Sequence, residues 1–438
     1  MKSIPWMKGV TLAAVASLAL TGCSGGQPNA DPASSNPSTP ANAAGQTLTV
    51  WIMQGTNPKA DDFLADVTSA FKQKTGADLK VELVAWSDAH DRFTTAMAGG
   101  TTPDVAETGN TWTPEFAGAG ALVPIDDYIK ASNLGSDLVK GLTDAGQLDG
   151  KQYGMPWYAG VRALMYNTEM FTALNLKPPT TWAEIESAAA AIKAAYPDKI
   201  AIAVPGSAEM TVYPWVWGAG GQVASESGGK WKSELDSTAS QEGLSFWTGL
   251  AAKGYSSASA TTWTEANVLE SFAAGNIGMA LMGSWTPKTI VQKGPEMEGK
   301  FAATPIPAKT GGIAPSVLGG SHLSMFSTAK NKDLAWEFMK MMTTGTFAEQ
   351  WGAQAGYFPG QKSLLEASLK SSDPLVAPFV KQFVDGGGSV PVSPAFGAVQ
   401  AKKTTVTMMQ SILSEKQDVA AASKAAADEM TSVLNAGN

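Results

Sequence analysis

Leu48, Val50 and Ile52 alternate as in a strand, and Phe63, Val67, Ala70 and Phe71 then recur at helical spacing over Lys59 to Lys74, closed by Gly76. Leu79 to Ala85 reads as a second strand, Asp88 to Ala98 as a helix and Asp104 to Ala106 as a short third strand. This alternation constrains the chain more than any other feature. Strand–helix units in series build a parallel sheet with helices on its faces. The pattern runs twice, before about residue 158 and again after it, where Ala201 to Val204 forms a strand. Helices are expected at 211–219, 238–253, 264–274, 332–342 and 346–354, with three more after 374. Thr113-Pro114-Glu115 combines a capping hydroxyl, proline in the first turn and an early acid. Thr181 to Glu184 fits a capping box and opens an Ala-rich helix to Tyr196. The expected fold class is α/β, with two lobes and a ligand cleft between them, since sites collect at domain interfaces and strand C-termini.

Charge and composition narrow the function. The 438 residues carry 31 basic and 39 acidic groups, a formal charge of −8, and no basic run that could serve nucleic acid. Arg92 and Arg162 are the only arginines, which disfavours bidentate capture of anionic ligands. One cysteine and two histidines exclude a disulfide framework and give no Cys/His metal site. No phosphate-binding P-loop and no G-x-S-x-G nucleophile elbow occurs. His90, beside Asp91 on a helix face, reads as a solvated histidine. The pairs Asp61-Asp62 and Asp126-Asp127 sit at helix starts, where the helix dipole explains them. Neither an enzyme nor a bound cofactor is expected.

The N-terminus reads as an export signal. Lys2 and Lys8 precede an apolar stretch from Val10 to Leu20, too short to span a bilayer stably. Leu20-Thr21-Gly22-Cys23 then resembles a bacterial lipobox, and Cys23 is the only cysteine in the chain. The expectation is a signal peptide over 1–22, a lipidated Cys23 bearing acyl chains such as palmitate, and a flexible linker to 46. Ser24 to Gly45 is rich in Ser, Pro, Asn and Ala, and lacks the apolar side chains needed to offset its ordering entropy.

The aromatic residues are the most informative about a ligand. Tryptophan (14) outnumbers tyrosine (8), and Trp112, Trp157, Trp263 and Trp285 fall in loop-like contexts. Trp182, Trp247, Trp336 and Trp351 fall inside helical patterns and read as core. A sugar ring presents an apolar C–H face to an indole and hydroxyls to polar neighbours. A buried hydroxyl left unpaired costs about 1–3 kcal/mol, so polar side chains must accompany the stack.

Six runs carry a family resemblance: DVAETGNTWTPEFAGAGALVPIDDYI (104–129), GKQYGMPWYAGVRALMYNTEMF (150–171), KPPTTWAEI (177–185), ATTWTEANVLESFAAGNIGMALMGSW (260–285), LGGSHLSMF (318–326) and NKDLAWEFMKMMTTGTFAEQWG (331–352). Together they resemble the extracellular solute-binding proteins of sugar ABC transporters, in the maltose-binding-like group. The resemblance implies a periplasmic-binding-protein-like fold of the class II type. Lobe one would comprise 47–158 with 320–368, and lobe two 159–319 with 369–438.

Carried onto this chain, the resemblance implies a site with Trp285 stacked on sugar and the Asn110–Trp112 loop at the lip of lobe one, with Glu115 just beyond. Gln54 and Thr56 would follow the first strand, Gly320 and His322 would sit at the hinge, Tyr213 and Trp215 on a cleft-facing helix, and Phe396 at a late aromatic position. Trp157 and Trp263 complete the expected set. Many relatives carry an acid where this chain has Gly160, and His322 replaces a common asparagine. The expected protein is a monomer tethered by lipid to the outer face of the cell membrane. It binds a neutral mono- or oligosaccharide by lobe closure and delivers it to permease subunits. Alternatives are a same-fold receptor for a polyol phosphate, an amino acid or a polyamine, or a secreted glycan hydrolase, which needs two carboxylates about 5–9.5 Å apart.

Overall fold

Ten strands form the two main sheets: β1 (Thr47–Met53), β2 (Asp78–Val84), β3 (Val105–Gly109), β4 (Gly154–Gly160), β5 (Arg162–Asn167), β6 (Ile200–Ile202), β7 (Ile277–Gly283), β8 (Phe301–Thr304), β9 (Gly319–Met325) and β10 (Phe358–Pro359). The computed structural model describes residues 43–436 except 372. The expected signal peptide, Cys23 and all but the last four residues of the expected linker lie outside the described residues.

The first sheet has the order β10-β4-β9-β3-β1-β2 and the second β8-β5-β7-β6. β1 pairs in parallel with both β2 and β3, as strand–helix alternation requires. β9 instead runs antiparallel to β3 and β4, and β5 antiparallel to β7 and β8, so both sheets are mixed rather than purely parallel. The reversed strands are those by which the chain passes between sheets. Only Val161 separates β4 in the first sheet from β5 in the second.

Each sheet has its own apolar interior. Phe63, Phe71, Trp157, Phe338 and Trp351 fill the first, and Trp182, Trp215, Leu244, Trp247 and Met430 the second. Full burial of each such side chain contributes on the order of 1.5–3 kcal/mol. The helical tryptophans 182, 247, 336 and 351 are all buried, as their spacing predicts.

Several local expectations need correction. Four helices follow residue 374, not three: Ala377–Asp385, Phe396–Ala401, Thr404–Leu413 and Val419–Leu434. Ala43 to Gln46, read as tether, already belongs to the body: Ala43 is buried and its amide bonds to Thr75. Thr181 caps its helix by accepting from the Glu184 amide, but the Glu184 carboxylate closes on the Thr180 amide rather than on Thr181. Thr113 does not cap its helix. Trp112 holds the cap position, and the Thr113 hydroxyl turns inward to Thr108 and His322.

Candidate functional site

The two indoles that best fit a sugar site occupy the same local slot in the two sheets. Trp112-Thr113-Pro114 follows β3, and Trp285-Thr286-Pro287 follows β7. In both, proline sits in the first helical turn, where its missing N–H is harmless, and the tryptophan is the residue before the helix. In both, the threonine hydroxyl lies back against a strand-end glycine: Thr286 Oγ1 donates to Gly283 O at 2.8 Å, and Thr113 Oγ1 stands 3.4 Å from Gly109 O.

Trp285 lies on glycine. A Cβ at Gly160 would stand 2.4 Å from its six-membered ring, and one at Gly283 2.3 Å. Its turn is fixed on either side, since the Ser284 amide donates to Val161 O at 3.0 Å and the Ser284 hydroxyl to Gly356 O at 3.3 Å. The Tyr357 ring lies nearly parallel, 11° off, with centroids 5.4 Å apart. Burial, then the nearby Glu107 charge, pushes the Tyr357 hydroxyl up to about 12, so it stays protonated. The Arg162 guanidinium stands 5.1 Å from the Trp285 ring centre. A cavity of about 490 Å³ opens beside this group, its wall including Trp285, Tyr357, Phe358, Lys288 and Asp373. A wider groove of about 870 Å³ between the helix Ala60–Thr75 and β2 has no aromatic lining and lies outside this group.

Trp112 belongs to a second cluster at the end of β3. Trp86 tilts against it at 5.4 Å and donates from Nε1 to Thr56 at 3.2 Å. Trp86 is 39% exposed, one of two large apolar side chains that the described surface leaves open. His90, expected to be merely solvated, sits 5.4 Å from Trp112, and its Nε2 meets both Glu115 oxygens at 3.0 Å. Gln54 is exposed nearby on the loop after β1. Asn110 ties the end of β3 to the start of β9: its side-chain amide donates to Leu318 O at 2.7 Å, and its backbone amide to Gly320 O at 3.1 Å. Gly320 itself is half-buried and pressed against Tyr158 O, with no room for a side chain.

Six expected site residues are placed elsewhere. His322 is fully buried: Nε2–H donates to Leu142 O at 2.9 Å and Nδ1 accepts from the Thr113 hydroxyl at 2.9 Å. Burial lowers its imidazole to about 4, so it is neutral and structural rather than a ligand to hydroxyls. Trp157 packs on Trp351 at 4.5 Å inside the first core, because β4 is buried on both faces. Trp215 stacks on Trp247 at 4.6 Å inside the second. Tyr213 is buried at the start of the short helix Tyr213–Gly218 that carries Trp215, its hydroxyl donating to Glu209 at 2.5 Å, and Phe396 is buried in that core too. Trp263 is half-buried against a third apolar cluster around Phe272.

Residue-by-residue reading missed Trp86, Arg162, Glu265 and Tyr357. It also missed a buried carboxylate, Glu107 on β3. Glu107 accepts from the Tyr158 hydroxyl of β4, the Ser321 hydroxyl of β9 at 2.6 Å and the Met53 amide of β1 at 2.8 Å. Burial outweighs those donors and pushes its carboxyl up to about 7. The repeated Trp-Thr-Pro tripeptide was the available signal for the paired indoles.

A fold of two mixed sheets joined by crossing strands, with aromatic turns at strand ends, defines a two-lobed binding protein. Residues 56–344 match the bacterial extracellular solute-binding protein family, and the chain belongs to it. It is 30% identical over 362 residues to the diacetylchitobiose binding protein DasA of Streptomyces coelicolor, covering 82% of each chain. Among solved structures it is similar to an ABC transporter solute-binding protein of Thermotoga lettingae bound with α-D-tagatose. That match has 27% identity, a TM-score of 0.74, and covers 89% of this chain and all of the other. It also shares the fold of the sugar-binding protein MalE of Xanthomonas citri, with 23% identity, a TM-score of 0.80, and coverage of 90% and 98%. No helix among the described residues is long and apolar enough to cross a membrane.

Proposed function

We propose that this protein is the carbohydrate receptor of an ABC importer, binding a neutral mono- or oligosaccharide between its lobes and delivering it to the permease without chemical change. The observation that carries this reading is the Trp285 indole laid on Gly160 and Gly283 where the two sheets meet, with polar groups around it. Such a surface offers a sugar ring a flat apolar partner and its hydroxyls a set of donors and acceptors. The sugars named for the similar proteins support the same class of ligand. Lobe one would span 47–158 with 320–368 and lobe two 159–319 with 369–438. The sugar would shift an existing open–closed equilibrium toward closure.

The lipobox-like run ending at Cys23 supports a lipid anchor on the extracytoplasmic side, with the protein working as a monomer above its permease. Labelling with a palmitate analogue tests the anchor: wild type should be labelled and Cys23→Ala should not.

Thermal denaturation against a panel of mono-, di- and trisaccharides tests the ligand class. A sugar present at 100 times its Kd adds about 2.7 kcal/mol of stability. At least one neutral sugar should raise the melting temperature. A response confined to phosphorylated, cationic or amino-acid solutes would overturn the reading.

A further inference from the structure

Arg162 is one of only two arginines in the chain, and it is buried beside Trp285 at the start of β5. Two of its three nitrogens are committed. Nε lies 3.1 Å from both Glu265 oxygens and Nη2 2.7 Å from one of them. The third, Nη1, is buried and has no hydrogen-bond partner among the described residues. It lies 3.8 Å from where a Cβ on Gly319 would stand, beside the segment whose Leu318 carbonyl Asn110 holds. A guanidinium N–H stranded in a dry site is unfavourable, and nothing in the local backbone relieves it. Glu265 has the opposite character. Its side chain is about one-third exposed and keeps lone pairs free beyond those Arg162 uses.

We infer that the Arg162–Glu265 pair is a subsite for one uncharged sugar ring that presents an acceptor and a donor side by side: Nη1–H donates to a ligand oxygen, Glu265 accepts from a neighbouring O–H or N–H, and Trp285 covers the ring. This rests on the carbohydrate reading above and adds a selection rule to it. The pair is electrically neutral as a whole, so neither a uronate nor an amino sugar gains a net attraction that offsets the cost of stripping water from its charge. Both are disfavoured against the uncharged ring.

Calorimetric titration of wild type, Arg162→Lys and Glu265→Gln tests this. The neutral probes are maltose, cellobiose, N,N′-diacetylchitobiose and D-tagatose, and the charged ones cellobiouronic acid and de-acetylated chitobiose. Wild type should bind a neutral probe at least tenfold more tightly than either charged probe. Arg162→Lys should lose at least tenfold on that neutral probe, since an ammonium paired with Glu265 has no second arm. Glu265→Gln should narrow the gap to the uronate, and it carries the test should Arg162→Lys fail to fold.

A spectroscopic arm uses the scarcity of arginine. In ¹⁵N-arginine-labelled protein the saturating neutral probe should shift the Arg162 guanidinium signals and leave those of Arg92, which pairs with Glu82 over Trp51, unmoved. Arg162→Lys binding within twofold of wild type, or a preference for a charged probe, would overturn the subsite while leaving the carbohydrate reading intact. Failure of wild type to bind any neutral probe would remove both.

Discussion

Trp285 occupies the space that a side chain on Gly160 would need: a Cβ there would lie 2.4 Å from the indole and 3.0 Å from the Tyr357 ring. The absence of an acid at this position is therefore a packing requirement of the aromatic pair, not a missing contact. Gly160→Ala should displace the indole, destabilise the empty protein by about 1–3 kcal/mol and weaken sugar binding at least tenfold. Denaturant unfolding and calorimetry measure the two effects. Wild-type affinity in Gly160→Ala would mean that Trp285 does not touch the sugar.

Trp285→Ala removes the stack on Tyr357 and the cover on Arg162 together. Its expected effect is at least a tenfold loss of affinity with a stability loss of about 0.5–1.5 kcal/mol, the worth of one aromatic pair. Trp285→Phe should recover part of both. An affinity unchanged in Trp285→Ala would take this residue out of the site.

Trp86 stands more open than Trp285 and is held by a single hydrogen bond to Thr56. Trp86→Ala should change stability by no more than about 0.5 kcal/mol yet weaken a trisaccharide more than a monosaccharide, because it forms the open rim of the cluster around Trp112. Equal losses for both lengths would place Trp86 on the same ring as Trp285.

Glu107 and His322 give opposed pH dependences. Glu107 stays protonated in the folded chain up to about 7 while the unfolded carboxyl ionises near 4.5, so its contribution to stability is lost as pH rises through that window. His322 stays neutral down to about 4 while the unfolded imidazole is charged below 6.5, so its contribution grows as pH rises from 4 to 6.5. Each amounts to about 3 kcal/mol and they largely cancel. Urea unfolding across pH 4–7.5 should show Glu107→Gln rising with pH relative to wild type and His322→Gln falling. Superimposable profiles would show that neither group titrates as its burial requires.

The parts legible in the sequence were those governed by local chemistry. The helix over 238–252 and the strand from Leu48 follow from spacing, and the Thr181 cap from a hydroxyl three residues before an amide. The errors were non-local. Pro156 makes Trp157 read as a loop residue, yet its strand is buried throughout and the indole is covered by chain that arrives near residue 351. His322 looked available beside glycines, but Leu142 and Thr113, distant in sequence, enclose it. Arg162 and Glu265 are 103 residues apart, and no spacing rule joins them. The loop-like placement of Trp112 and Trp285 was legible because each stands directly before its own helix, at a turn set by adjacent residues.

A crystal structure of the protein with the tightest-binding neutral saccharide tests the central claim most directly. The expected result is a sugar ring over the Trp285 indole, within hydrogen-bond distance of Arg162 Nη1 and Glu265, with groups of both lobes in contact with it. A sugar bound in the groove beside β2, or held by one lobe with Trp285 still covered only by Tyr357, would contradict it.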